Sequence, residues 1–105
     1  MTLPTQLVLR ALLVHPTRPM YGLEIGQEAG LASGTIHPIL ARLEAAGWLT
    51  SSWEDIDPRV QGRPRRRYYV LSKDGAEQAR YALAHAHSSI SKIDALRPRT
   101  TGSAS

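Results

Sequence analysis

The spacing of apolar residues changes twice along this chain, and that double change constrains the fold more than any other feature. Up to Gly47 apolar residues recur at intervals of three and four, between Trp48 and Leu71 they alternate, and after Ser72 the longer intervals return. The first spacing lines one face of a helix and the second one face of a strand. Three helices, a hairpin and a fourth helix are therefore expected in that order.

The first helix is read over residues 3–14, with Pro4 tolerated in its first turn and Leu3, Leu7, Ala11 and Val14 as its inner stripe. The segment His15-Pro16-Thr17-Arg18-Pro19 ends it. A short second helix fits Tyr21 to Ala29, with Leu23 and Ile25 as core contacts and Gly30 just past its end. The third carries Ile36, Ile39, Leu40 and Leu43 on one face and closes at Gly47. Ser33 and Thr35 are both candidate caps. Thr35 is preferred, because Pro38 then falls at the third helical position, where no N–H bond is lost.

Trp48 to Glu54 and Arg66 to Leu71 read as strands joined by a long tip rich in turn formers. Within them Tyr68 and Tyr69 point to opposite faces, and Trp48 and Trp53 are expected to pack. Ser72 caps a last helix from Lys73, on which Ala76, Ala79, Leu83, Ala86, Ile90 and Ile93 form a heptad seam. Its first turns are expected to pack on their own domain, and beyond Leu83 the seam needs another chain. The tail from Arg97 has no core residue and is expected to be disordered.

A chain of 105 residues makes about one domain. It has no Cys, which excludes disulfide staples, thiolate nucleophiles and thiolate metal sites and fits a reducing cytoplasm. The longest apolar run, Ala11 to Val14, is far short of a membrane span. Thirteen Lys and Arg against nine Asp and Glu give a net charge of +4. Arg59, Arg63, Arg65, Arg66 and Arg67 supply five of the positive charges in a segment without an acid, so the surplus is confined to the hairpin tip and its return strand. A cationic loop concentrated in this way is an electrostatic footprint for a polyanion. No catalytic constellation or metal-ligand spacing is present: His85 and His87 do not share a helix face, and Glu54, Asp55 and Asp57 are read as solvated turn residues.

This element order is that of a winged helix-turn-helix, in which the third helix enters the major groove and the hairpin reaches the flanking backbone. The fold class expected is thus mainly α with a small β-hairpin: residues 1–72 form the DNA-binding domain, 73–96 a dimerisation helix and 97–105 a tail. Arg42 and His37 fall on the outward side of the third helix, and Gln61 at the tip can hydrogen-bond in a minor groove or to phosphate.

Three stretches also resemble the PadR family of bacterial transcriptional regulators: Tyr21-Gly22-Leu23-Glu24-Ile25, Ser33-Gly34-Thr35-Ile36-His37-Pro38 through Leu43-Glu44, and Gly62-Arg63 through Arg66-Arg67-Tyr68-Tyr69-Val70-Leu71-Ser72 with Gly75. The likeness covers about residues 3–85 and is that of the short members with one C-terminal helix. His37 stands where that family usually has Tyr, and the link between the second and third helices is shorter than in many members. The resemblance implies a dimeric repressor whose last helix pairs two subunits.

The residues expected at DNA are Tyr21, Ser33, Gly34, Thr35, His37, Pro38, Arg42, Gln61, Arg63, Arg65, Arg66 and Arg67. Tyr21 either packs on the third helix or donates its hydroxyl to phosphate, and Thr35 serves as cap, contact or both. Ala79, Leu83, Ala86, Ile90 and Ile93 are expected at the dimer interface. The expected partners are double-stranded DNA, a second copy of the chain and a small-molecule effector of open identity, with no cofactor and no membrane. A winged-helix adaptor for other proteins is the competing reading, and the confinement of surplus charge to the wing speaks against it.

Overall fold

The computed structural model describes residues 1–96, with side chains as far as Ala86. The expected tail, and the side chains of Ile90 and Ile93, lie outside the described residues. Five helices and three strands follow in the order α1 (Leu3–Val14), β1 (Met20–Tyr21), α2 (Gly22–Ala29), α3 (Ser33–Ala45), β2 (Leu49–Trp53), α4 (Pro58–Gln61), β3 (Arg67–Leu71) and α5 (Lys73–Leu96). This is a winged helix, mostly helical with a small antiparallel sheet. None of the described helices is long and apolar enough to cross a membrane.

In α1 the Thr2 hydroxyl accepts the Thr5 N–H at 3.3 Å, and Pro4 occupies the first turn, where no partner is lost. Its buried face is Val8, Leu9, Ala11 and Leu12 rather than the stripe expected from Leu3 to Val14. Leu3 is 63% exposed and Val14 54%. Apolar residues surround this helix, so spacing admits several faces and packing against α2, α3 and α5 chooses one.

The sheet has three strands in the order β1-β3-β2 where two were expected. Met20 pairs with Tyr69 and Tyr21 with Tyr68, so β1 is only two residues long and carries no periodicity to read. Tyr21 is at once the end of β1 and the N-cap of α2, whose Glu24 carboxylate accepts the Tyr21 N–H at 3.2 Å. In α2 Ile25 is buried, whereas Leu23, expected in the core, is largely exposed.

Helix α3 begins at Ser33 with Ala32 as N-cap, so neither Ser33 nor Thr35 caps it. Pro38 consequently lies inside the helix and removes the bond that its N–H would make to the Gly34 carbonyl. Ile36, Ile39, Leu40 and Leu43 are buried as the stripe required.

The hairpin pairs Leu49 with Leu71 through Trp53 with Arg67. Its tip is not a plain loop but contains the one-turn helix α4, capped by the Asp57 carboxylate accepting the Arg59 N–H at 2.9 Å and closed by Gly62 at φ 69°. That φ is left-handed, which glycine adopts without the steric cost of a side chain.

The expected cap of α5 is present: Ser72 Oγ accepts the Gly75 N–H at 2.9 Å while its own hydroxyl faces the Gly47 carbonyl at 2.9 Å. Gly75 lets α5 approach Trp48 so closely that a Cβ would stand 2.1 Å from the Trp48 carbonyl oxygen. Ala76 and Ala79 join Leu9, Leu12, Leu40 and Leu71 in one core, against which Leu83 and Trp48 are half-buried.

Candidate nucleic-acid interface

Every polar position that the sequence singles out at the start of α3 faces solvent. Ser33, Gly34, Thr35, His37, Pro38 and Arg42 are all exposed, opposite the buried stripe. The His37 ring lies over the start of α2, where a Cβ on Gly22 would meet its Cε1 at 3.1 Å. Gly22 therefore provides the seat for this imidazole, a role that nothing in the sequence alone announces.

A cleft of about 280 Å³ joins three elements on this side of the molecule, and Tyr21, Gly22, Ser33, His37, Arg66 and Tyr69 are among its walls. The start of α2, the start of α3 and the return strand of the wing thus open onto one surface. Among the described residues, no carboxylate lines this cleft. The Arg66 guanidinium lies 4.3 Å above the Tyr21 ring, and Tyr21 meets Tyr68 edge-on at 5.6 Å between centroids. Stacking holds the flat cation beside the helices while leaving its N–H edge free to donate. Tyr21 therefore packs on Arg66 and Tyr68 at the head of α2.

The arginines of the wing, alike in sequence, divide into different roles. Arg63 is held by Glu54 in a two-pronged pair, Nη1 donating to Oε1 at 2.7 Å and Nη2 to Oε2 at 2.9 Å. Glu54 also accepts the Arg66 N–H at 3.2 Å. With Arg63 donating to it, and burial opposing only in part, the Glu54 carboxyl is held down to about 2. The expectation that Glu54 is a solvated turn residue is thus corrected: it fastens the two sides of the wing. Asp57 caps α4, and Asp55 is exposed.

Arg67 lies over the Trp53 ring at 4.9 Å and 3.8 Å from the Glu44 carboxylate of α3. Glu44 also accepts a hydrogen bond from the Ser51 hydroxyl of β2. Trp53 itself is 61% exposed, whereas Trp48 packs on the core as expected. Tyr69 packs on the same core.

Arg65 donates from Nε to the Ile56 carbonyl at 2.9 Å. Arg42, Arg59, Arg65 and Arg66 have no ion-pair partner among the described residues. Gln61 is exposed at the tip. Of the expected dimer residues, Ala79 is fully buried in its own domain and belongs to the core, because the first turns of α5 pack on α1 and β3. Leu83 and Ala86 are half-buried.

Comparison with known proteins identifies the family and the fold. The sequence profile of the transcriptional regulator PadR-like family matches residues 11–81. No curated protein sequence matches the chain. Among solved structures, it is similar to a PadR family transcriptional regulator from Eggerthella lenta, with 24% identity, 90% of this chain and 83% of that one covered, and a TM-score of 0.70. It is also similar to BpsR of Bordetella bronchiseptica, whose DNA binding is regulated by 6-hydroxynicotinic acid, at 20% identity over 93% of this chain and 69% of that one, with a TM-score of 0.69. Overoxidized AbfR bound to DNA is similar at 30% identity over 86% of this chain and 60% of that one, with a TM-score of 0.65.

Proposed function

The chain belongs to the PadR-like family of transcriptional regulators, and from that premise we propose that it is a sequence-specific DNA-binding protein acting as a homodimeric repressor on a palindromic operator. The observation that carries this reading is the acid-free cleft in which the exposed start of α3 meets Arg66 of the wing. Helix α3 enters the major groove, where His37 and Arg42 reach base edges and Ser33 and Thr35 reach phosphate or bases. Arg65 and Arg66 meet the flanking phosphates. Arg63, bound to Glu54, acts from behind by holding the wing in shape.

A second copy is supported by what one copy leaves uncovered. Met1, Leu3 and Tyr81 are exposed large apolar residues. Met1 and Tyr81 border a groove of about 560 Å³ between the N-terminus and α5, which Trp48 and Ala86 also line. The symmetric partner of α5 covers this groove, and two-fold symmetry then requires half-sites about 10 base pairs apart or a multiple of that.

The test is a salt titration of DNA binding. Removing one protein–phosphate ion pair lowers the slope of log affinity against log salt by about 0.9. Arg65→Ala with Arg66→Ala removes up to about four such pairs in a dimer and flattens the slope by up to roughly 3.6. A double variant that keeps the full slope refutes the wing assignment, and a wild type that binds no duplex refutes the function and favours a protein adaptor.

A further inference from the structure

Trp53 is 61% exposed, and neither the core nor the DNA contacts proposed above use it. Its indole forms one wall of an open cleft of about 920 Å³ in the wing, completed by Glu54, Asp55, Pro58, Pro64 and Arg65. That volume lies in the range that takes a small organic molecule. Arg67 stacks over the indole at 4.9 Å without being a wall of the cleft, so the ring offers the cleft its remaining surface.

The charged groups of the cleft are not equivalent. Both Glu54 oxygens are taken by Arg63, at 2.7 and 2.9 Å, and Glu54 also accepts the Arg66 N–H. Asp55 is exposed and has no ion-pair partner among the described residues. Arg65 has none either, and because its Nε is spent on the Ile56 carbonyl at 2.9 Å, its Nη groups remain to donate. One free anion and one free cation thus stand about an exposed aromatic ring and two prolines. The walls are in place before anything binds: proline rings are stiff, and α4, which Pro58 begins, is held by its Asp57 cap and by the Gly62 N–H donating to the Pro58 carbonyl at 2.9 Å.

We infer that this cleft is a binding site for a free aromatic α-amino acid, a ligand that itself carries both charges and an apolar ring. The ring lies against Trp53 between Pro58 and Pro64, the ammonium pairs with Asp55, and the carboxylate takes the Nη groups of Arg65. A consequence for regulation follows, and it rests on the DNA-binding reading above: the groups that hold the carboxylate are those assigned to phosphate. Amino acid and DNA therefore compete for Arg65.

The probe is L-phenylalanine, set against phenylacetate, which lacks the ammonium, and phenethylamine, which lacks the carboxylate. Calorimetry on the full chain is expected to give a Kd of about 1 mM or below for L-phenylalanine and binding weaker by about tenfold for each analogue. Asp55→Asn is expected to bring L-phenylalanine down to the level of phenylacetate while leaving phenylacetate within about twofold, a coupling that a mere change in wing shape would not produce. Competition is read on duplexes that the wild-type protein enriches from a random-sequence pool. Saturating L-phenylalanine is expected to flatten the slope of log affinity against log salt by about 0.9 per copy of the chain, and to add nothing to the flattening that Arg65→Ala causes.

No binding to the wild type up to about 10 mM, equal binding of the three probes, or an Asp55→Asn variant that binds L-phenylalanine unchanged overturns the site. L-phenylalanine that binds without altering the slope overturns the competition for Arg65. Failure to enrich any duplex instead removes the DNA-binding reading and leaves the calorimetric test of the site standing.

Discussion

Replacing Gly75 by Ala tests how α5 is seated, because the result follows from distances alone. The added Cβ would stand 2.1 Å from the Trp48 carbonyl oxygen and 2.7 Å from its carbonyl carbon and Cα, against an ordinary contact range beginning at 3.4 Å. Those atoms are backbone and cannot swing aside, so α5 has to retreat from Trp48. Retreat stretches the Ser72 N–H bond to the Trp48 carbonyl and the Ser72 hydroxyl bond to the Gly47 carbonyl, both 2.9 Å.

Overpacking costs about 1 to 3 kcal/mol, and two neutral hydrogen bonds contribute about 1 kcal/mol each. Against this, alanine in place of glycine in a helix gains up to about 1 kcal/mol. The net loss expected is about 2 to 4 kcal/mol, a fall in Tm of at least about 8 °C for a domain of this size. Gly34→Ala is the control, since its Cβ meets nothing within 4 Å at another helical position. It should stabilise by about 0.5 to 1 kcal/mol. Urea midpoints at one protein concentration, with unchanged m values, measure both. A Gly75→Ala midpoint within about 0.5 kcal/mol of wild type, or two variants moving in the same direction, refutes the seating described.

Glu54 gives a pH signature whose sign is fixed: its carboxyl in the folded chain is held near 2, below the ordinary 4.5, so the stability it brings is present above the ordinary value and is lost as pH falls toward 2. The gap in urea midpoint between wild type and Glu54→Gln should therefore shrink from about pH 6 to about pH 3, and a gap that widens counts against the pair. His37→Ala and Arg42→Ala should each cost about 1 to 3 kcal/mol on an enriched duplex and much less on random DNA, as read by titration of both. Equal losses on the two DNAs would make these residues phosphate contacts. Ile90→Lys with Ile93→Lys should convert a dimer into monomers by light scattering, and a wild type that is monomeric at micromolar concentration ends the dimer proposal.

The helices and hairpin were legible because each keeps one period long enough to count: Ile36, Ile39, Leu40 and Leu43 on α3, and the alternation through Tyr68, Tyr69 and Leu71 on β3. What the letters did not convey has a physical cause in each instance. Two residues at Met20 and Tyr21 are too few for a period, and their pairing depends on β3, far along the chain. Thr35 has the marks of a cap because Pro38 disfavours an earlier start, yet the chain leaving α2 enters α3 at Ser33 and forgoes one hydrogen bond to do so. In the wing, five arginines are equivalent as letters. Only the cross-strand register, which places Glu54 beside Arg66, reveals that Arg63 is held by an acid while Arg59 is left facing outward.

The bonds that Glu44 makes with Ser51 and Arg67 tie α3 to both long strands of the sheet. Tyr21, joined to Tyr68 in the sheet and heading α2, ties the other side. Gauge is thereby built into a single copy: where α3 and the wing both meet DNA as proposed, the reach between them is set by the protein and not by the DNA. One base pair inserted between the two footprints displaces the second by about 3.4 Å along the duplex axis and turns it by roughly a tenth of a revolution. A frame braced at both sides opposes that displacement, so in the proposed complex the sequence between the two contacts can drift where no side chain touches, but its length cannot.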